Sequence, residues 1–295
     1  MPEASVHICL NKKRKQLISL VEEELKKDRQ CSVYGLKPVY PLSFEEVLIP
    51  TILGRDFPYG YNAANMGVLV LDVQAILHTY EAVALGKPLI ERVVALGGTG
   101  FSRPTYITIR IGTSVGEVIA GRLVEGEKHR LLFDSINTGE TIKDPAAPVN
   151  RTVSSIIAIP EGEKGEVLAF AQPGFNKDSV SNTFFSNILP VKKEYNTNLH
   201  GEKRACISCS FCIDVCPVGI YPNLLFKYAE RDIIDEYLTR YKIFNCIECN
   251  LCTYVCPSKI PVSSLIKEGK RKLEREGINA DEAVLSRFNL KGRDR

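Results

Sequence analysis

Little net charge separates the 38 Lys and Arg from the 35 Asp and Glu of this 295-residue chain, leaving a formal +3. That balance is too slight to imply a nucleic acid or an anionic membrane as partner. There is no tryptophan and there are only two methionines, but 44% hydrophobic and 25% charged residues are ordinary globular proportions. Low-complexity, fibrous and disordered classes are thereby excluded. No long apolar run exists either. The most apolar stretch, 66–90, is interrupted by Asp72, Gln74, His78, Glu81 and Lys87, so it cannot cross a bilayer unbroken. After Met1 the chain reaches Lys12, Lys13, Arg14 and Lys15 without an apolar core of secretory length. We therefore expect a protein made and kept in the cytoplasm, where thiols stay reduced.

Ten cysteines depart from this ordinary composition, and eight of them lie between Cys206 and Cys256. In a reducing compartment such a cluster reads as metal ligands rather than as a disulfide framework. Cys206, Cys209, Cys212 and Cys216, the last followed by Pro217, recur forty residues later as Cys246, Cys249, Cys252 and Cys256 with Pro257. Ile207, Val215 and Ile220 recur as Ile247, Val255 and Ile260, so the repeat reaches beyond the cysteines. Two runs of this form imply two [4Fe–4S] clusters. Three thiolates two residues apart wrap one side of a cubane, while the fourth, before proline, ligates the other cluster in two-cluster proteins of this pattern. The expected sets are Cys206, Cys209, Cys212 and Cys256 for one cluster, and Cys246, Cys249, Cys252 and Cys216 for the other. Zinc sites pair two separated Cys-x-x-Cys knuckles and have no use for the third cysteine or the Cys-Pro.

Elsewhere the chain reads as mixed structure. An amphipathic helix is expected over 11–29, a short helix over 43–49, a buried strand at Met66–Leu71 and a helix from Val73 to Leu85 stopped by Gly86 and Pro88. Strands are expected at 91–96, 105–111, 131–136, 153–159 and 166–171, with Ile107, Ile109 and Ile111 on one face of the second. Ser114 and Glu117 suggest a capping box opening a short helix. This is the outline of a small α+β domain of β-grasp type. Gly97-Gly98-Thr99-Gly100 follows a strand, but another strand comes next, so no helix N-terminus is there to hold a phosphate. Residues 222–242 have helical periodicity, with Leu225, Tyr228, Ile233, Tyr237 and Leu238 facing inward, and 267–275 reads as a charged, solvated helix. His7, His78 and His129 read as surface or packed residues, and His200 precedes the first cysteine run without ligand geometry.

The order of these parts resembles the C subunit of Rnf-type ferredoxin:NAD oxidoreductases and, in places, the A subunit of sodium-pumping NADH:quinone reductases. Tyr40–Ile49, Asn65–Val70, Gly86–Val94, Arg110–Ser114, Pro173–Lys177, His200–Cys206 and both cysteine runs carry the resemblance. It implies an N-terminal helical segment (1–37), a remnant of the family's α/β domain (38–90), a β-grasp domain of SLBB type with return strands (91–195), a helical dicluster ferredoxin domain (196–268) and a charged tail (269–295). The family's flavin- and NADH-binding half lies upstream of the strand-helix unit, and near Tyr40 its glycines are replaced here by Leu42, Ser43 and Phe44. No FMN is therefore expected on this chain. The resemblance implies an electron-transfer subunit, not a complete enzyme, relaying electrons between a flavin or NADH site on a partner chain and a downstream acceptor. Its partners would be flavoprotein or membrane subunits, holding it at the inner membrane without a span of its own. Two other readings stay open: a self-contained flavin-dependent NADH:acceptor oxidoreductase, and an iron–sulfur-stapled interaction module. Cys9 and Cys31 stand apart from both runs, and the sequence assigns them no role beyond that of ordinary thiols.

Overall fold

The computed structural model describes residues 4–26, 28, 30–58, 60–161 and 203–278. The expected strand at 166–171, Pro173–Lys177 and His200 lie outside them. The chain divides into two compact units, Met1–Val70 with Ile278–Arg295, and Leu71–Gly277.

In the first unit, the segment expected to be helical is a β-α-β unit. Strand β1 (Val6–Asn11) and strand β2 (Cys31–Leu36) pair in parallel, and helix α1 (Lys15–Glu24) connects them. The helix is shorter than the 11–29 periodicity suggests because its two ends are drawn into the crossover. Cys9 stands opposite Tyr34 and Cys31 opposite Val6, so the register sets the two thiols apart. Helix α2 (Glu45–Leu53) extends past the expected end and stops at Gly54, whose φ of 62° lets its N–H reach the Pro50 carbonyl. Met66–Leu71 is not a strand. A short 3-10 turn (Ala64–Met66) ends at Gly67, and Leu69 is 79% exposed. No strand among the described residues pairs with that run, and an apolar run without a neighbour to share its hydrogen bonds does not become one.

The second unit opens with helix α3 (Val73–Leu85), capped by the Asp72 carboxylate, which accepts from Ala75 N–H at 2.6 Å. A four-stranded mixed sheet follows: β3 (Glu91–Gly97), β4 (Thr105–Arg110), β5 (His129–Phe133) and β6 (Ser155–Pro160), ordered β4-β3-β6-β5. β3 and β6 run parallel in the centre, with an antiparallel neighbour outside each. Helix α4 (Val115–Ile119) begins at Ser114, whose hydroxyl accepts from Glu117 N–H, as the capping pattern predicts. It lays Val115 and Val118 over Val94, Leu96, Ile156 and Ala158, and these residues form the core. Buried Arg92 ties sheet and helix together: it donates to Val153 O at 2.7 Å and Ser154 Oγ at 2.9 Å, and its guanidinium lies 3.4 Å from Asp72. The glycine loop is a structural turn. Gly100 N–H donates to Ala158 O, and a Cβ at Gly100 would collide with Ala158 and His129.

The rest of this unit is helical: α5 (Phe211–Asp214), α6 (Pro222–Glu230), α7 (Glu236–Arg240), α8 (Leu251–Tyr254) and α9 (Val262–Arg275). The periodicity of 222–242 is broken at Asp232, which adopts φ 58°, so two helices replace one. Leu225 and Leu238 are fully buried, as expected. Ile233 and Tyr237 fall after the break and are exposed, with Tyr237 stacked on Tyr228 at 5.7 Å. The boundary expected at 268/269 falls inside α9, where Gly269 and Leu273 are buried; the supposed tail begins in the core.

Candidate metal centre

The forty-residue repeat is written into the backbone. Ser208 and Glu248 have φ of 54° and 55°, Ser210 and Asn250 of 64° and 63°, and Gly219 and Lys259 of 62° and 56°. Left-handed backbone is strained for residues other than glycine, at about 1–3 kcal/mol each, and it persists where the surroundings require it. Here it turns amide groups toward sulfur. Ser208 N–H lies 3.4 Å from Cys206 Sγ, Glu248 N–H donates to the Cys246 sulfur, and Leu251 N–H to that of Cys249. Each three-cysteine loop thus presents donors where negative charge on sulfur would accumulate. α5 and α8 follow as single turns, and α6 and α9 then pack together.

Cys206, Cys209, Cys212 and Cys256 line one cavity, walled by Phe226, Ile260 and Val262. The fourth cysteine of the second run therefore stands with the first three of the first run. Conversely, Cys216 acts electrostatically on Cys246, Cys249 and Cys252. Burial pushes the Cys212 thiol up to about 11, and Cys209, Cys256 and Cys206 add to the rise. Burial likewise lifts Cys246 to about 11 and Cys252 to about 12. Thiols this reluctant to ionise alone need a cation to hold them as thiolates. Among the described residues no three His, Cys, Asp or Glu side chains converge as ligands of a single ion do.

Three features escaped the reading from sequence. Lys270 Nζ donates to Cys246 O at 2.6 Å and lies 3.4 Å from Glu248, while Lys267 pairs with Glu248 at 2.6 Å. Although burial opposes it, the two ammonium groups hold the Glu248 carboxyl below its usual range. Asn250 Nδ2 donates to Asn137 O at 3.1 Å, tying the second cysteine loop to the sheet domain. Only the repeat itself could have pointed to Glu248 and Asn250, as the positions matching Ser208 and Ser210.

Residues 202–260 match the family of 4Fe-4S dicluster domains. A wider stretch is similar to curated proteins. It is 32% identical over 171 residues to the A subunit of the Na(+)-translocating NADH-quinone reductase of Alcanivorax borkumensis, covering 58% of this chain and 37% of that protein. It is 29% identical over 213 residues to the C subunit of the ion-translocating oxidoreductase complex of Pseudomonas aeruginosa, covering 72% and 23%. The C subunit of the proton-translocating ferredoxin:NAD(+) oxidoreductase complex of Clostridium ljungdahlii is 28% identical over 214 residues, covering 72% and 40%. Over these stretches the chain is similar to Rnf C and Nqr A proteins. It spans less than half the length of these Rnf C and Nqr A relatives. The dicluster match takes in the cysteine-rich region 206–256. No helix among the described residues is long and apolar enough to cross a membrane.

Proposed function

We propose that this chain is an iron–sulfur electron-transfer subunit of an Rnf- or Nqr-like oxidoreductase complex, holding two [4Fe–4S] clusters. The carrying observation is the crossed gathering of cysteines: Cys206, Cys209, Cys212 and Cys256 around one cavity, and Cys216 beside Cys246, Cys249 and Cys252. When bound, such clusters supply one-electron oxidation and reduction. The protein's part is to hold them and set their surroundings. The eight thiolates would be the ligands, and the left-handed residues 208, 210, 248 and 250 would aim N–H groups at sulfur. The packed α6 and α9 would limit water, and the crossing of Cys216 and Cys256 would keep the two centres close, as electron hopping requires.

The order β4-β3-β6-β5 with a crossing helix supports a β-grasp reading of SLBB type for the sheet domain. We read it as a docking scaffold, with flavin or NADH bound on another chain and the complex peripheral to the inner membrane through partner subunits. The names of the relatives, each a component of a translocating redox assembly, support this placement. Purified protein should contain about eight iron and eight sulfide per chain, two cubanes' worth. Dithionite should bleach it and raise an electron paramagnetic resonance signal. Zinc in place of iron, or clusters that dithionite cannot reduce, would overturn the reading.

A further inference from the structure

The two halves of the repeat match in backbone but differ in charge. In the second half Lys270 donates to the carbonyl of Cys246, and Lys267 and Lys270 share the single carboxylate of Glu248. Two cations thus face one anion within a turn of the loop that carries Cys246 and Cys249. Lys270 is held in place: its side chain is 15% exposed and both its partners lie in the same loop. Forty residues earlier the corresponding positions are Ser208, with no charge, Lys227, which repeats the base of Lys267, and Glu230, whose carboxylate is taken up by Lys203 at 2.7 Å. The first half therefore has an acid where the second has a buried base.

We propose that Lys270 is a positioning residue that raises the reduction potential of the cluster held by Cys246, Cys249, Cys252 and Cys216 above what its ligand set alone would give, making the two centres electronically unequal. The inference rests on the two-cluster reading above. Adding one electron makes a cluster more negative by one charge, and a fixed cation beside it in a partly desolvated setting favours that form. Lys267 is half-exposed and already paired with Glu248 at 2.6 Å, so it contributes less; Lys270, at the longer 3.4 Å, retains more of its charge for the cluster.

The test is a potentiometric titration of the full chain followed by electron paramagnetic resonance, with iron and sulfide assayed on each sample. In Lys270→Met one of the two midpoints should fall and the other stay. The moving signal should be the one altered in shape by Cys249→Ser. Lys270→Arg, which keeps the charge, should restore most of the shift. Glu248→Gln, which leaves Lys270 in place and removes its counter-charge, should move the same midpoint upward; should Lys270→Met lose iron, this variant carries the test. Unchanged midpoints in a fully loaded Lys270→Met protein, equal shifts of both, or a downward shift in Glu248→Gln would overturn the inference. A wild-type protein that holds no reducible clusters would instead overturn the two-cluster reading before any variant is compared.

Discussion

Ala229 and Gly269 meet where α6 crosses α9, and they are the same position of the forty-residue repeat. A Cβ at Gly269 would lie 3.2 Å from that of Ala229 and 3.2 Å from Ile243 Cδ1. Two helices related by the repeat touch at their equivalent small residues, which brings their backbones close and closes the cluster region on itself. Helices approach most closely where side chains are smallest. Gly269→Ala should be nearly neutral: it gains about 1 kcal/mol of helix propensity and gives some of it back in the tight contact. Gly269→Leu should destabilise by about 1–3 kcal/mol through overpacking, read as a lower denaturation midpoint with unchanged slope.

The reach of the sequence reading follows from which signals are local. Thr105–Arg110 alternates and its hairpin partner is adjacent, so β3 and β4 were legible; the Ser114 cap was legible because it spans three residues. β1 and β2 were not, since each is six residues long and exists only by pairing with the other across the α1 crossover. Met66–Leu71 shows the converse, a strand-like run with no neighbour. The cysteine spacing pointed to the dicluster domain that residues 202–260 match, whereas Lys270 sat unseen in a run of charges that reads as a solvated face. Its importance depends on which side of α9 meets Cys246, and only packing decides that.

The crossing of ligands makes a prediction that sequence-local ligation does not share. If Cys256 belongs with Cys206, Cys209 and Cys212, then Cys256→Ser and Cys209→Ser should alter the same magnetic signal, and Cys216→Ser and Cys249→Ser should alter the other. Electron paramagnetic resonance of the four reduced variants checks this. Cys256→Ser pairing with Cys249→Ser would show that each run closes on its own cluster.

The raised thiol values predict how the metal-free protein responds to alkali. Burial lifts Cys212, Cys246 and Cys252 from 9.0 to about 11 or 12, so between pH 9 and 11 the folded chain retains protons that the unfolded chain has released. Stability therefore falls as pH rises through that window, at up to about 1.4 kcal/mol per pH unit for each such thiol and less for the half-solvated Cys212. Below about pH 9 both states are protonated at these sites and the contribution is complete. Thermal melts of chelator-stripped protein should thus drop between pH 9 and 11, specifically in the helical signal. Loaded protein, whose sulfurs are already thiolates, should lack that component.

Arg92 offers a test away from the metal. Its side chain is 6% exposed and its guanidinium supplies Val153 O and Ser154 Oγ with their donors, while the nitrogen that serves Ser154 also lies 3.4 Å from the exposed Asp72. Removing it strands a buried carbonyl, so Arg92→Met should cost about 2–4 kcal/mol. Lysine should not rescue it, because a single ammonium cannot reproduce the fork that satisfies both acceptors at once. Asp72→Ala should cost about 1 kcal/mol, the loss of the α3 cap at Ala75 rather than of the ion pair, since that carboxylate is mostly solvated. Denaturant melts of the three variants separate these terms: if Asp72→Ala proved as damaging as Arg92→Met, the salt bridge and not the backbone contacts would be holding the helix to the sheet.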